Sequence, residues 1–207
     1  MIVVDICSGY GGWSEAALKR GHTVIRIDNN PVFADVPNTI IMDVRNIQDL
    51  DLPEDVTLML LAPPCKYLSL ASVYHHWDKK GRPKHLDTIE ALRIVGWCLD
   101  AVDYIKPKYW ILENPQGMLR NFLNRPGVAL PGVTTWMGSW GGPSIKPTDL
   151  WGQLPPMEWP EKPKEFTKGA GCGKGGRDLR PSDPARRAII PYALSEAVCI
   201  AVENAII

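Results

Sequence analysis

Short apolar runs alternate with amphipathic stretches over the first 115 residues, and that alternation predicts a parallel sheet covered by helices. The runs at 2–6, 23–27, 39–41, 57–61 and 109–112 are the predicted strands. Helices are predicted over 13–20, closed by Gly21, and over 87–105, with Asp87 as an N-terminal cap and Pro107 beyond the end. In the longer helix Ile89, Leu92, Val95, Leu99 and Val102 recur at helical spacing, which assigns them to the core. A last helix is expected over 192–205, with Pro191 at its start. Between 115 and 188 the periodicity breaks into segments rich in Pro, Gly and Trp. Trp136, Trp140, Trp151 and Trp159 fall close together there, as a compact irregular subdomain or as the rings of a small core. The glycine run 169–176 reads as a flexible loop; Gly175 after Lys174 excludes a phosphate loop of the Gly-x-x-x-x-Gly-Lys-Ser/Thr kind.

Composition narrows the class. With 207 residues, 45% apolar, the chain can bury a core without disulfide or metal staples. Five cysteines, with no Cys-x-x-Cys pair, are not a disulfide framework and point to a reducing compartment. The N-terminal run shows neither a signal peptide nor a membrane span, so a cytoplasmic protein is expected, with no membrane and no obligate protein partner. Formal net charge is zero, but segments 66–86 and 161–187 each carry an excess of four positive charges. Two basic loops on a neutral body suit a polyanion groove, or form solvated surface.

Three motifs carry the chemistry. A strand ending at Asp5 runs into Gly9, Gly11 and Gly12 and then a helix, which brings backbone N–H groups close to a ligand. Asp28 stands at the end of the second strand, where an acid holds ribose hydroxyls, and Asp43 after the third, where an acid accepts from an adenine amino group. Ala62-Pro63-Pro64-Cys65 puts a thiol at the end of the fourth strand, with Lys66 beside it to favour the anion. Glu113-Asn114-Pro115 follows the fifth, and a carboxyl held protonated there can donate to a ring nitrogen. His75, His76 and His85 lack ligand-like spacing, so no metal is expected.

In this order the motifs resemble those of cytosine-C5 DNA methyltransferases, most closely compact, phage-type members. The resemblance implies an α/β fold with a doubly wound, mostly parallel Rossmann-like methyltransferase sheet. It implies a catalytic domain over 1–115 and 189–207 that uses S-adenosylmethionine, and a small irregular substrate-recognition region over 116–188. Asp5, Gly9, Gly11, Gly12, Asp28 and Asp43 take the cofactor-binding positions, with Cys7 where the family has phenylalanine. Cys65 takes the place of the nucleophile that adds to cytosine C6, and Glu113 that of the N3/N4 partner. Pro64, Ser69 and Asn114 fall on substrate-contacting motifs, and Lys146 on the region of an arginine that touches cytosine O2. The segment 66–86 matches a mobile loop that closes over an extruded base; Tyr74, His75, His76 and Trp77 are its stacking or wedging candidates and Lys79, Lys80, Arg82 and Lys84 its phosphate contacts. Ile190-Pro191-Tyr192 and Ser195 replace the asparagine motif before the last helix. DNA is the implied substrate; RNA, a free cytosine nucleotide, or binding without turnover are the alternatives.

Overall fold

The computed structural model describes residues 1–125, 129–163, 186 and 188–207. Its centre is a seven-stranded sheet in the order β3-β2-β1-β4-β5-β7-β6. The strands are β1 (Ile2–Ile6), β2 (Thr23–Asp28), β3 (Thr39–Ile41), β4 (Val56–Leu61), β5 (Tyr109–Pro115), β6 (Gly132–Trp136) and β7 (Pro147–Gln153). The first five run parallel; β7 is antiparallel to both β5 and β6. This is the expected doubly wound, mostly parallel fold.

Helices cover both faces, so successive residues of the central strands are buried on opposite sides and read as continuous apolar runs. On one face Val4, Ile6, Met59, Leu61 and Leu112 pack with Val95, Cys98 and Ala101 of α3 (Leu86–Ile105). On the other, Val3, Leu58, Leu60 and Ile111 meet Ala16 and Ala17 of α1 (Glu15–Lys19) and Leu194, Val198 and Val202 of the last helix (Tyr192–Ile206). Two single-turn helices, α2 (Val73–His76) and α4 (Arg120–Leu123), lie between, which makes the last helix α5. No helix among the described residues is long and apolar enough to cross a membrane.

Four expectations need correction. The predicted irregular region contains β6 and β7, which complete the main sheet; Trp151 enters one core and Trp140 and Trp159 pack on the other. α1 starts two residues late, with Ser14 at the cap position and its hydroxyl given to Asp5 instead of the helix backbone. Asp87 lies inside the first turn of α3 and accepts from the Tyr67 hydroxyl, while His85 occupies the cap position. The fully buried stripe of that helix is Thr88, Ala91, Val95, Cys98, Ala101 and Val102, and Ile89 is exposed. The glycine run 169–176 and most of the basic segment 161–187 lie outside the described residues.

Away from the strand ends that carry the motifs, His22, Cys199 and Glu203 bring ligand-type atoms within 4.8 Å of one another. Glu203 is there an ion-pair partner: Arg20 donates to it at 2.9 and 2.6 Å, and His22 Nε2 lies 2.5 Å from it. The contact ties α5 to the start of β2.

Candidate active site

The strand order reverses at β1 and β4, so a crevice opens past their C-terminal ends. Two cavities occupy it. One, of 190 Å³, is lined by Asp28, Asp43, Arg45 and the α3 residues Glu90, Ile94 and Trp97; the other, of 110 Å³, by Ser8, Trp13, Cys65, Glu113 and Lys146. Cys7 and Pro64 line both.

The glycine loop is built from beneath by a buried polar cluster. Asp5 is fully buried and accepts from Ser14 Oγ at 2.6 Å. Arg26, 1% exposed, donates to Ser14 Oγ at 2.9 Å, to the Gly11 carbonyl at 3.1 Å and to the Pro37 carbonyl at 3.0 Å. Gly11 has φ +74°, and a Cβ on it would sit 2.4 Å from the Arg26 guanidinium carbon. Gly9, at φ +52°, donates its N–H to Asp28 Oδ2 at 2.9 Å. A Cβ on Gly12 would lie 2.8 Å from Ile189, so glycine there lets the chain before α5 close over the loop.

Asp5, for which the resemblance implied a cofactor position, braces the loop through Ser14 and lines neither cavity. Burial pushes its carboxyl up to about 6, against the pull of Ser14 and Arg26. Asp28 and Asp43 do reach the larger cavity, each with a local duty. Asp28 caps the backbone of Gly9 and Asn30, and Asp43 holds Arg45 through three bonds that keep its carboxyl below the usual range. Arg45 in turn lies over the Trp97 ring at 5.0 Å. Glu90, Ile94 and Trp97 were missed in the sequence; their i, i+4, i+7 spacing marks one helical face, but nothing in that spacing says the face meets a cavity.

Cys65 and Glu113 follow parallel neighbours, β4 and β5. The Ala62 N–H donates to the Ile6 carbonyl at 3.1 Å, and Asn114 Nδ2 donates to the Pro63 carbonyl at 3.1 Å, so the two prolines are clamped between β1 and β5. Asn114, expected on a substrate-contacting motif, is fully buried, holds Pro63 and is not among the residues lining the cavity. Ser69 pairs with Gly117 across a bridge and meets the Ser72 hydroxyl at 3.3 Å; it is not among the residues lining the cavity.

Three ionisable groups converge on the smaller cavity. Lys146, with the unusual φ of +28°, puts Nζ 3.9 Å from Glu113 Oε1. That is an ion-pair distance, and Glu113 Oε1 is buried with no hydrogen-bond partner. Burial raises the Glu113 carboxyl, Lys146 pulls it down and Asp149 raises it again. Burial and the Glu113 charge raise the Cys65 thiol, while Lys146 lowers it. Lys66 is not the activating cation expected: it is exposed, with Nζ 3.3 Å from the Tyr67 hydroxyl.

The segment after Cys65 also departs from a simple loop. Trp77 is 3% exposed and donates from Nε1 to the Tyr67 carbonyl at 2.7 Å, so it is core and no wedge. Tyr74 is 87% exposed. Arg82 pairs with Asp78, and Lys84 Nζ donates to the Tyr74 carbonyl at 2.7 Å.

No family model and no curated protein matches the chain. Solved structures do. In fold the chain resembles a DNA modification methyltransferase. That protein, a putative enzyme encoded in an E. coli prophage, is 15% identical, with a TM-score of 0.49 over 73% of this chain and 46% of its own. The Dnmt2 methyltransferase of S. pombe is 16% identical, with a TM-score of 0.44 over 77% and 52%. The Entamoeba histolytica methyltransferase EhMeth is 16% identical, with 0.45 over 80% and 57%. The chain matches about half the length of each.

Proposed function

We propose that this chain transfers a methyl group from S-adenosylmethionine to C5 of cytosine in DNA. The observation that carries this reading is the meeting of Cys65, Glu113 and Lys146 in one cavity, walled in part by the glycine loop, that shares Cys7 and Pro64 with a second, acid-lined cavity. The residues present suit the cofactor. Ile27, Ile94 and Trp97 offer an apolar surface to a purine ring, and Asp28, Asp43 and Glu90 offer acceptors to ribose and amino donors. When bound, S-adenosylmethionine supplies an electrophilic methyl group on a sulfonium.

Cytosine C5 is a poor nucleophile until something adds at C6. The Cys65 thiolate forms the S–C6 bond, and Glu113 donates a proton to N3 while its other oxygen accepts from the N4 amino group. The ring becomes an enamine whose C5 would take the methyl group as the sulfonium S–CH3 bond breaks and S-adenosylhomocysteine leaves. Loss of the C5 proton to water and elimination of Cys65 then restore the aromatic ring, with the N3 proton returned to Glu113. Burial around Glu113 favours its protonated form, which this step needs. Burial also keeps Cys65 a thiol at rest, and Lys146 supplies the charge that offsets part of that cost. Uracil offers the reverse pattern at N3 and C4, so the same carboxyl selects cytosine.

The polyanion contact falls to the basic segment 66–86, which starts at the nucleophile and exposes Tyr74 as a stacking surface. Nucleoside mass spectrometry after incubation with S-adenosylmethionine tests the reading on duplex DNA, single-stranded DNA and RNA. A methyl gain on deoxycytidine, lost in Cys65→Ser, is the expected result. Product on cytidine alone would move the substrate to RNA, and no product on any of the three would end the proposal.

A further inference from the structure

Two residues that line the cavity beside Cys65 carry buried polar groups that the chemistry above leaves unused. Trp13 is 4% exposed and Ser8 9%; both line the cavity, and neither the indole N–H nor the hydroxyl has a hydrogen-bond partner among the described residues. An indole N–H can only donate, and a buried donor without an acceptor bears its full desolvation cost. Trp13 is held in place, and the Ser8 backbone N–H donates to the Ile27 carbonyl at 3.2 Å. The Trp13 carbonyl accepts from Ser195 Oγ at 2.6 Å, Ser195 Oγ also accepts from the Ala16 N–H at 3.2 Å, and the Trp13 ring packs in the core with Leu194 and Val198. A rigid donor left unpaired points to an acceptor that arrives from outside the chain.

The distribution of charge says what that acceptor is. The larger cavity is lined by Asp28, Asp43 and Glu90 against Arg45, whereas the smaller one adds the Lys146 ammonium to the two idle donors and has Glu113 as its one acid. A ligand that lies across Cys7 and Pro64 thus meets acceptors at one end and donors at the other. Building on the cofactor reading above, we propose that Trp13 Nε1 and Ser8 Oγ bind the carboxylate of the cofactor's amino-acid tail. Their hydrogen bonds are charge-assisted, which makes this end a main source of affinity. Ser195, which replaces an expected motif residue, acts behind them by fixing the Trp13 backbone.

Calorimetric titration with two probes tests this: S-adenosylhomocysteine, and 5′-methylthioadenosine, which keeps the nucleoside and thioether but lacks the amino-acid tail. The wild-type protein is expected to bind the first at least about tenfold tighter. Trp13→Phe and Ser8→Ala should each weaken S-adenosylhomocysteine about tenfold and leave 5′-methylthioadenosine within twofold. Unchanged affinity for the second probe also shows that the variant is folded; if Trp13→Phe does not fold, Ser8→Ala carries the test. Equal losses for both probes would assign Trp13 and Ser8 to packing and overturn the inference. Unchanged affinity for S-adenosylhomocysteine would overturn it too, with the cofactor reading intact. A wild-type protein that binds neither probe would remove both.

Discussion

Gly11→Ala tests how the glycine loop is built. At φ +74° an added methyl group costs roughly 1–2 kcal/mol from backbone conformation alone. Its Cβ would also lie 2.4 Å from the Cζ and Nε of Arg26, far inside van der Waals contact. Arg26 cannot yield cheaply, because it is 1% exposed and donates to Ser14, Gly11, Pro37 and Glu15. Prising a buried charge from its partners costs about 3–5 kcal/mol. The sum is on the order of 4–7 kcal/mol, a large part of the roughly 5–15 kcal/mol that stabilises a domain of this size. Gly21→Ala is the control: its φ is +81°, but nothing lies within 4 Å of the added atom, so about 1–2 kcal/mol is expected. Urea titration of both variants, followed by far-ultraviolet circular dichroism, measures the difference. A Gly11→Ala protein already unfolded without urea agrees with the upper part of the range. Equal costs for the two variants would refute the view that Arg26 holds the loop.

Two further outcomes are expected. Lys146→Met removes the cation that lowers both Cys65 and Glu113, so both groups titrate higher. The rising limb of the kcat/KM profile, which follows the thiolate, and the falling limb, which follows protonated Glu113, should both move to higher pH; unmoved limbs would exclude Lys146 from the reaction. Asp5→Asn acts on stability. Because the folded state holds the Asp5 proton up to about 6, it binds more protons than the unfolded chain between about pH 4 and 6, and stability falls as pH rises through that window. The loss is about 3 kcal/mol, from roughly two pH units at 1.36 kcal/mol each. Urea titrations at pH 4 and pH 6.5 should show a smaller difference for Asp5→Asn than for the wild type; an equal difference would mean Asp5 is not the group.

Much of the fold was legible because the central strands are buried on both faces, which leaves apolar runs at 2–4, 58–61 and 109–112. β6 and β7 escaped because their apolar signal is broken. Thr135, Thr148 and Asp149 are buried polar residues, paired or bound by Trp140, Lys146 and Arg120, and Gly152 interrupts the run at φ +135°. Cys65 and Glu113 were legible as strand-end residues in a parallel sheet, where β–β pairing alone brings neighbouring ends together. The roles of Asp5 and Asn114 were not, since a motif position does not say whether a side chain faces a cavity or braces the chain beneath it. Lys66 was misread for a related reason: a neighbour along the chain need not face the same way, and its ammonium lies by the Tyr67 hydroxyl, whereas Lys146, 80 positions later, returns on β7's approach to face Glu113.

The covalent role of Cys65 is the central claim, and 5-fluorocytosine tests it directly. Fluorine at C5 cannot leave as a cation, so elimination is blocked and the Cys65–C6 bond persists after methyl transfer. Incubation with S-adenosylmethionine and DNA containing 5-fluorodeoxycytidine should yield a complex stable to denaturant, with the DNA mapped by mass spectrometry to Cys65 and absent from Cys65→Ser. Methylation of ordinary DNA without such a complex, or retained transfer by Cys65→Ser, would contradict the account.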